Sequence, residues 1–235
     1  MHIGRRTFWR VSFLAGFITA TALNGVYGQD FTNLNFESAS ISGLSGGFIP
    51  TTSAFPDWSA YYGPPGNPTQ VNVSTVFYDG TSLGGATVTL VDTNNPSYGG
   101  PAPLQGSYSA LLEGSTPAAG STASIGQTGT IPRTAQSLVF WVSEGFPDVS
   151  FNGQMLSLVD VSNASNYTVY AANISSFAGE TGQLLFTAPV ERADLLDNIQ
   201  FSSSPVPEPG IFALAALGGL FFMWRRRAKF PSRFA

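Results

Sequence analysis

Trp58, Tyr61 and Tyr62 fall close together in Phe55–Pro68, a stretch dense in glycine and proline. Sugar rings present apolar C–H faces that stack on aromatic rings, and the polar tips of Trp and Tyr hydrogen-bond hydroxyls. These three residues are therefore candidates for contact with a glycan. The competing role for Trp58 is to plug the edge of a core. Tyr98 and Tyr108 flank a second Pro/Gly-rich stretch, Asn94–Gly106, and are candidates for the same rim. Carboxylates form the other set. Glycoside cleavage needs two of them roughly 5–10 Å apart, and a sheet could bring Glu113, Glu144, Asp148 and Asp160 together. A chain with fourteen acidic residues offers such pairs without catalysis. The chain also lacks the length and loop insertions of most sugar-cleaving enzymes. A non-enzymatic protein is expected, with a glycoside hydrolase as the third reading.

Cysteine is absent, and the one histidine is His2. Thiolate metal sites, cysteine nucleophiles and redox motifs are thereby excluded, as are zinc sites and triads that depend on imidazole in the body of the chain. The basic residues other than Arg133 and Arg192 lie in Met1–Arg10 or after Trp224, whereas every acidic residue lies between Asp30 and Glu208. The middle of the chain thus carries fourteen acidic side chains against two basic ones, a net charge near −12. Phosphate binding needs Lys and Arg, so nucleic acid is excluded as a partner. Adhesion to anionic lipid is disfavoured for the same reason. Binding of cations such as calcium is permitted.

The elements that would position these residues are short strands. Runs rich in Val, Leu, Phe, Tyr and Thr recur between turn residues, and helical blocks are missing. The pattern predicts strands near Phe31–Glu37, Val71–Tyr78, Ala86–Asp92, Ser107–Glu113, Ser121–Gln127, Ser137–Ser143, Gln154–Asp160, Tyr167–Ala171, Gln183–Ala188 and Asp194–Ser202. In Ser137–Val142 one face carries Leu138, Phe140 and Val142 and the other Val139 and Trp141, which predicts a strand covered on both sides with Trp141 in the core. Asp79-Gly80, Gly84-Gly85 and Asn152-Gly153 suit hairpin turns. Ser45–Thr69 and Asn94–Gly106 are expected to be long surface loops. Many short strands with turn signals point to an all-β sandwich.

The two ends read differently. Pro205-Val206-Pro207-Glu208-Pro209-Gly210 precedes an uncharged apolar run, Ile211–Trp224, and then Arg225, Arg226, Arg227 and Lys229. As a helix the run would reach roughly 21 Å at about 1.5 Å per residue, short for a hydrocarbon core of about 30 Å. Its arginines fit the positive-inside rule and can snorkel to offset the short length. At the other end, a basic Met1–Arg10 and an apolar Val11–Val26 precede a cut expected at Gly28-Gln29, the three-part pattern of a secretory signal peptide. Arg5-Arg6-Thr7-Phe8 also resembles part of a twin-arginine signal, with Trp9 where that pattern prefers an aliphatic residue, so the export route stays open.

The Val-Pro-Glu-Pro element, the short hydrophobic helix and the basic cluster, in that order, resemble the PEP-CTERM sorting signal, which an exosortase reads in bacteria. The resemblance implies Pro207, Glu208, Pro209, Arg225, Arg226 and Arg227 as sorting residues. It also implies an exosortase-type enzyme as partner and exopolysaccharide or biofilm as the setting. A second resemblance lies in Asn35-Phe36-Glu37-Ser38, in Phe55-Pro56-Asp57-Trp58 and in Leu196-Asp197-Asn198-Ile199-Gln200-Phe201. Together these are similar to exported bacterial jelly-roll domains of the galactose-binding or carbohydrate-binding-module type. Ser124–Pro132 and Val149–Gln154 are similar to stretches frequent in PEP-CTERM proteins. Such jelly rolls often hold a structural calcium near the first and last strands. That implies Glu37, Asp194, Asp197 and Asn198 as candidate ligands, with oxygen donors as calcium requires. The competing role for Glu37 and Asp197 is as solvated or backbone-capping charges. No other cofactor is expected.

The expected organisation is a signal peptide over 1–28, a jelly-roll β-sandwich ectodomain over 29–202, a Ser/Pro linker with the PEP element over 203–209, and a transmembrane helix with a basic tail over 210–235. The expected function is an exported cell-surface or matrix protein, a candidate for binding exopolysaccharide. The alternative is a purely structural surface component with no soluble ligand.

Overall fold

The computed structural model describes residues 29–44, 47–64, 70–80, 84–93 and 101–206. The signal peptide, Gly28 of its cleavage site, the transmembrane helix and the sorting residues Pro207, Glu208, Pro209, Arg225, Arg226 and Arg227 lie outside these. Among the described residues no helix is long and apolar enough to cross a membrane.

Among the described residues fourteen strands follow one another: β1 (Gly47–Pro50), β2 (Ser59–Gly63), β3 (Val71–Val73), β4 (Thr75–Tyr78), β5 (Thr87–Asp92), β6 (Tyr108–Glu113), β7 (Thr122–Thr130), β8 (Ser137–Ser143), β9 (Asp148–Phe151), β10 (Gln154–Met155), β11 (Leu158–Asn163), β12 (Thr168–Asn173), β13 (Thr181–Ala188) and β14 (Ala193–Ser202). One sheet has eight strands in the order β1-β4-β5-β6-β14-β8-β12-β11, and the other six in the order β10-β9-β13-β7-β2-β3. Pairing is antiparallel except between β4 and β5. The domain is an all-β sandwich, consistent with a jelly roll.

Alternation decides what each strand buries. Leu138, Phe140 and Val142 of β8 meet Leu184 and Phe186 of β13, Val149 and Phe151 of β9 and Ile125 of β7 in the space between the sheets. Phe140 and Phe186 pack edge to face at 5.2 Å. A smaller cluster of Val91, Leu111 and Leu195 lies on the opposite face of the eight-stranded sheet, beneath Leu104 of the segment before β6. The centre of that sheet is therefore covered on both sides, and all six residues of β5 are buried. Farther along, the outer face is less covered: Val139 and Trp141 of β8 are only half-buried. The expected burial of Trp141 in the core is thus corrected. It lies on the outward row of β8, where neither the six-stranded sheet nor the Leu104 segment reaches.

Two further expectations change. Phe31–Glu37 does not form a strand but a turn-rich segment in which Asn33 and Phe36 take φ of +49° and +59°. The bend drives Phe36 fully into the core against Phe55 and Trp58. Ser45–Thr69 is not a single long loop, because it contains β1, a helical turn at Thr51–Ala54 and β2.

Candidate functional site

The carboxylates of the expected calcium set separate into two places. Leu196 of β14 faces the core between the sheets and Leu195 faces the outer cluster, so Asp197 points outward and Asp194 inward. Both are fully buried. Asp197 Oδ2 accepts hydrogen bonds from the Gln105 N–H at 3.0 Å and the Ser109 hydroxyl at 2.7 Å. Its Oδ1 accepts from the Asn198 N–H at 2.6 Å. Glu37 Oε1 accepts from the N–H groups of Ser107 and Tyr108 at 2.8 and 3.1 Å. The two carboxylates thus grip the segment that carries Leu104. Between their contacts Gly106 turns with φ of +61°, and a Cβ there would collide with Glu37 Oε1. Burial pushes the Asp197 carboxyl up to about 6, the Glu37 charge adds to this, and its three hydrogen bonds oppose it.

Asp194 does not share this site. Asn198 Oδ1 is engaged by the Gln200 amide at 2.7 Å. Among the described residues no three His, Cys, Asp or Glu side chains form a group that could hold a metal ion. Strand alternation sets Asp194 on the opposite face of β14 from Asp197, so Asp194 stands apart from the rest of the expected calcium set.

The aromatic set also separates. Trp58 is 4% exposed. Its ring packs against Phe36 and Phe186, and its Nε1–H donates to the Asn33 carbonyl at 3.0 Å. No ring face is left for a sugar, and the packing role holds. Tyr61 and Tyr62 are neighbours on β2 and so project to opposite sides. The Tyr62 hydroxyl accepts the Val88 N–H of the other sheet at 3.2 Å, whereas the Tyr61 hydroxyl accepts from Gln183 Nε2 at 3.0 Å. Burial raises the Tyr62 phenol. These three aromatics form no common platform.

A different aromatic pair stands beside a cleft. Trp141 of β8 and Tyr167, which leads into β12, stack at 4.2 Å with their planes 6° apart. Their strands are neighbours, with Thr168 opposite Val142 and Val169 opposite Trp141. Tyr167 lines a cleft of about 430 Å³ with Glu144, Phe146, Asn166, Thr168 and Arg192. Phe146 is 44% exposed and meets Tyr170 edge-on at 5.0 Å. Glu144 turns the chain with φ of +71°. A Cβ on Gly145, in the cleft wall, would strike Asp194 Oδ1. Asp194 therefore lies directly behind this wall, with neither oxygen hydrogen-bonded. Burial pushes its carboxyl up to about 7; the Arg192 charge opposes this, Asp148 adds to it, and the nearby Phe146 amide falls short of hydrogen-bond geometry. A second cleft of about 320 Å³, lined by Gly84, Glu113, Thr116, Glu191 and Arg192, adjoins the first through Arg192. Sequence reasoning missed both clefts. The one signal was the alternation of β8, which sets Trp141 apart from the Leu138–Phe140–Val142 row.

Of the carboxylates considered for hydrolysis, Glu113 accepts the Thr87 hydroxyl at 2.8 Å, and Asp160 accepts the Asn163 amide at 2.9 and 3.2 Å. Glu144 stands on the wall of the larger cleft and Asp148 opens β9.

The described chain leaves the sandwich at a pinned point. Gln136 donates its N–H to the Ser202 carbonyl at 2.7 Å, and the Ser137 hydroxyl donates to the Ser204 carbonyl at 2.8 Å. Residues 205–227 match the PEP-CTERM protein-sorting motif. The chain carries a PEP-CTERM sorting signal. That signal implies an exported bacterial protein recognised by an exosortase-type processing enzyme. The PEP-CTERM motif begins one residue beyond the Ser204 carbonyl that β8 holds.

No curated protein matches the chain in sequence. Among solved structures, it is similar to a Stig cyclase, Fisc from Fischerella sp. TAU, in complex with (3Z)-3-(1-methyl-2-pyrrolidinylidene)-3H-indole. The identity is 16% over 77% of this chain and 99% of that one, with a TM-score of 0.45. It is also similar to the enzymatically active domain of tailspike protein 4 of Bacteriophage CBA120, at 15% identity over 74% of this chain and 21% of that one, with a TM-score of 0.38. Likenesses this remote carry no activity over to the PEP-CTERM chain.

Proposed function

We propose that the protein is an exported, non-enzymatic component of the cell surface or extracellular matrix whose sandwich binds extracellular polysaccharide. A C-terminal helix holds it in the membrane until processing near Pro207-Glu208-Pro209. The observation that supports binding is the cleft beside the Trp141–Tyr167 stack, which joins an aromatic ring to a carboxylate, an amide, a hydroxyl and a guanidinium. That mixture suits a sugar, whose apolar face needs a ring and whose hydroxyls need both donors and acceptors.

The experiment is a binding screen of fragment 29–206 against immobilised neutral and acidic polysaccharides, with calcium and again with chelator. Both sheets and the whole described core lie inside this fragment. Retention by one class of polysaccharide supports the reading, and a blank in both conditions sinks it. A second reading, a structural component without a soluble ligand, is favoured by one observation. Phe48 on the edge strand β1 is 65% exposed and pairs with Phe77 at 4.1 Å. That reading requires the fragment to self-associate and Phe48→Ser to reduce the association.

A further inference from the structure

Arg192 lines two clefts at once, and the residues around it are unevenly charged. On one side stand Tyr167, Asn166, Thr168 and Glu144; on the other, Glu113, Thr116 and Glu191. Each cleft is near the lower limit of small-molecule sites, which run from about 300 Å³ upward. The Pro189–Arg192 turn places the shared arginine. The Arg192 N–H donates to the Pro189 carbonyl at 3.1 Å, and the Gly114 N–H donates to the Arg192 carbonyl at 2.8 Å. Glu191, at φ of +64°, completes the reversal. Trp141 covers one face of the Tyr167 ring and thereby fixes the ring against the cleft.

We infer that the two clefts are successive subsites of one groove that binds an internal stretch of a neutral, hydroxyl-rich polysaccharide, with Arg192 donating to sugars on both sides of it. This rests on the polysaccharide-binding reading and adds the site, the charge class and the length of the ligand. Neutrality follows from the lining. Glu113, Glu144 and Glu191 outnumber the single guanidinium, and the body of the chain carries a net charge near −12, so a polyuronate or sulfated chain meets repulsion. Neutral hydroxyls both donate to carboxylates and accept from a guanidinium, and hydrogen bonds to charged groups are stronger than those between neutral groups. Length follows from continuity. A monosaccharide fills one cleft, whereas a chain that crosses Arg192 fills both.

The test is titration calorimetry of fragment 29–206 with neutral gluco-, manno- and galacto-oligosaccharides of increasing length, and with alginate oligomers as the acidic comparison. Wild type is expected to bind one neutral series with affinity that rises on going from monosaccharide to longer oligomers. Tyr167→Ala should weaken every ligand in the series by about tenfold, as loss of one ring contact does. Arg192→Ala should weaken the long ligands by about tenfold or more and flatten the length dependence. Thr116→Trp, which fills the smaller cleft from an exposed position, should weaken only the long ligands. Retained thermal unfolding of each variant separates loss of the groove from loss of the fold. Wild-type binding that all three variants preserve overturns the groove but leaves polysaccharide binding standing. Preference for alginate overturns the neutral class. No binding to any polysaccharide, in this series or in the wider screen, overturns both readings.

Discussion

Asp194 and Asp197 stand three residues apart on β14, both with no solvent exposure, and their surroundings could hardly differ more. Asp197 faces the outer cluster, where the Gln105–Ser109 segment brings donors to it. Asp194 faces the interior and meets the backbone at Gly145, which approaches closely without a hydrogen bond. A buried carboxylate is accommodated when a nearby loop supplies donors, and it holds its proton when none does. Where Asp197 and Glu37 anchor the Leu104 segment, the outer face of the eight-stranded sheet is sealed, whereas Val139 and Trp141 of β8 are only half-buried.

The sharpest way to separate the two aspartates is pH. Both have folded pKa values above the ordinary aspartate value of 3.8, Asp194 at about 7 and Asp197 at about 6. Between 3.8 and those values the folded state holds protons that the unfolded state has released, so stability falls as pH rises. The contribution is fully present below about pH 4 and lost by about pH 7, at up to ~1.4 kcal/mol per pH unit for each group. From pH 6 to 7 Asp194 supplies most of the decline, because Asp197 is losing the last of its proton there. Urea titrations across pH should therefore show that Asp194→Asn removes most of the decline between pH 6 and 7 and reduces the decline between pH 4 and 6 by about half. A wild-type curve flat from pH 4 to 7 would refute the contrast.

The next effect is structural. Asp197→Ala leaves the Gln105 N–H and the Ser109 hydroxyl without their acceptor and should cost about 3 kcal/mol. Asp197→Asn keeps an oxygen for them and should cost less. Denaturant midpoints at fixed pH decide between the two. Gly106→Ala forces a side chain onto Glu37 at a positive φ and should cost about 1–3 kcal/mol, with faster proteolysis near Gln105 as the local signature. The smallest effect belongs to the half-buried region. Tyr167→Ala removes one stacked pair at the surface and should cost about 0.5–1.5 kcal/mol, read by thermal melting.

How much of this was legible in the sequence depended on which interaction carried the information. The terminal signals are linear strings that other proteins read, and they stand out without a fold. The inner row Leu138, Phe140 and Val142 was legible because period two is a local property. The partial exposure of Trp141 on the other row was not, since it depends on where the Leu104 segment ends. Phe31–Glu37 has strand composition, yet Asn33 and Phe36 take left-handed turns that composition does not reveal. In Ser45–Thr69 the glycines and prolines masked two short strands. Glu37 and Asp197 stood out as a pair, but the work they do was hidden, because their partners are backbone N–H groups rather than side chains. Arg192 entered no candidate set, since the sequence places it in a turn and only the sheet order puts that turn between two clefts.

β14 pairs with β6 on one side and β8 on the other. It is the last strand before the sorting motif, yet it lies inside the larger sheet. Until it inserts, that sheet exists as two unjoined halves, with its longest-range pairings unmade. A chain delivered N-terminus first cannot close its sandwich until almost all of it has emerged. Completion of the fold and presentation of the sorting motif are then nearly the same event. On such a route, an enzyme that reads residues 205–227 meets a domain that has only just become whole.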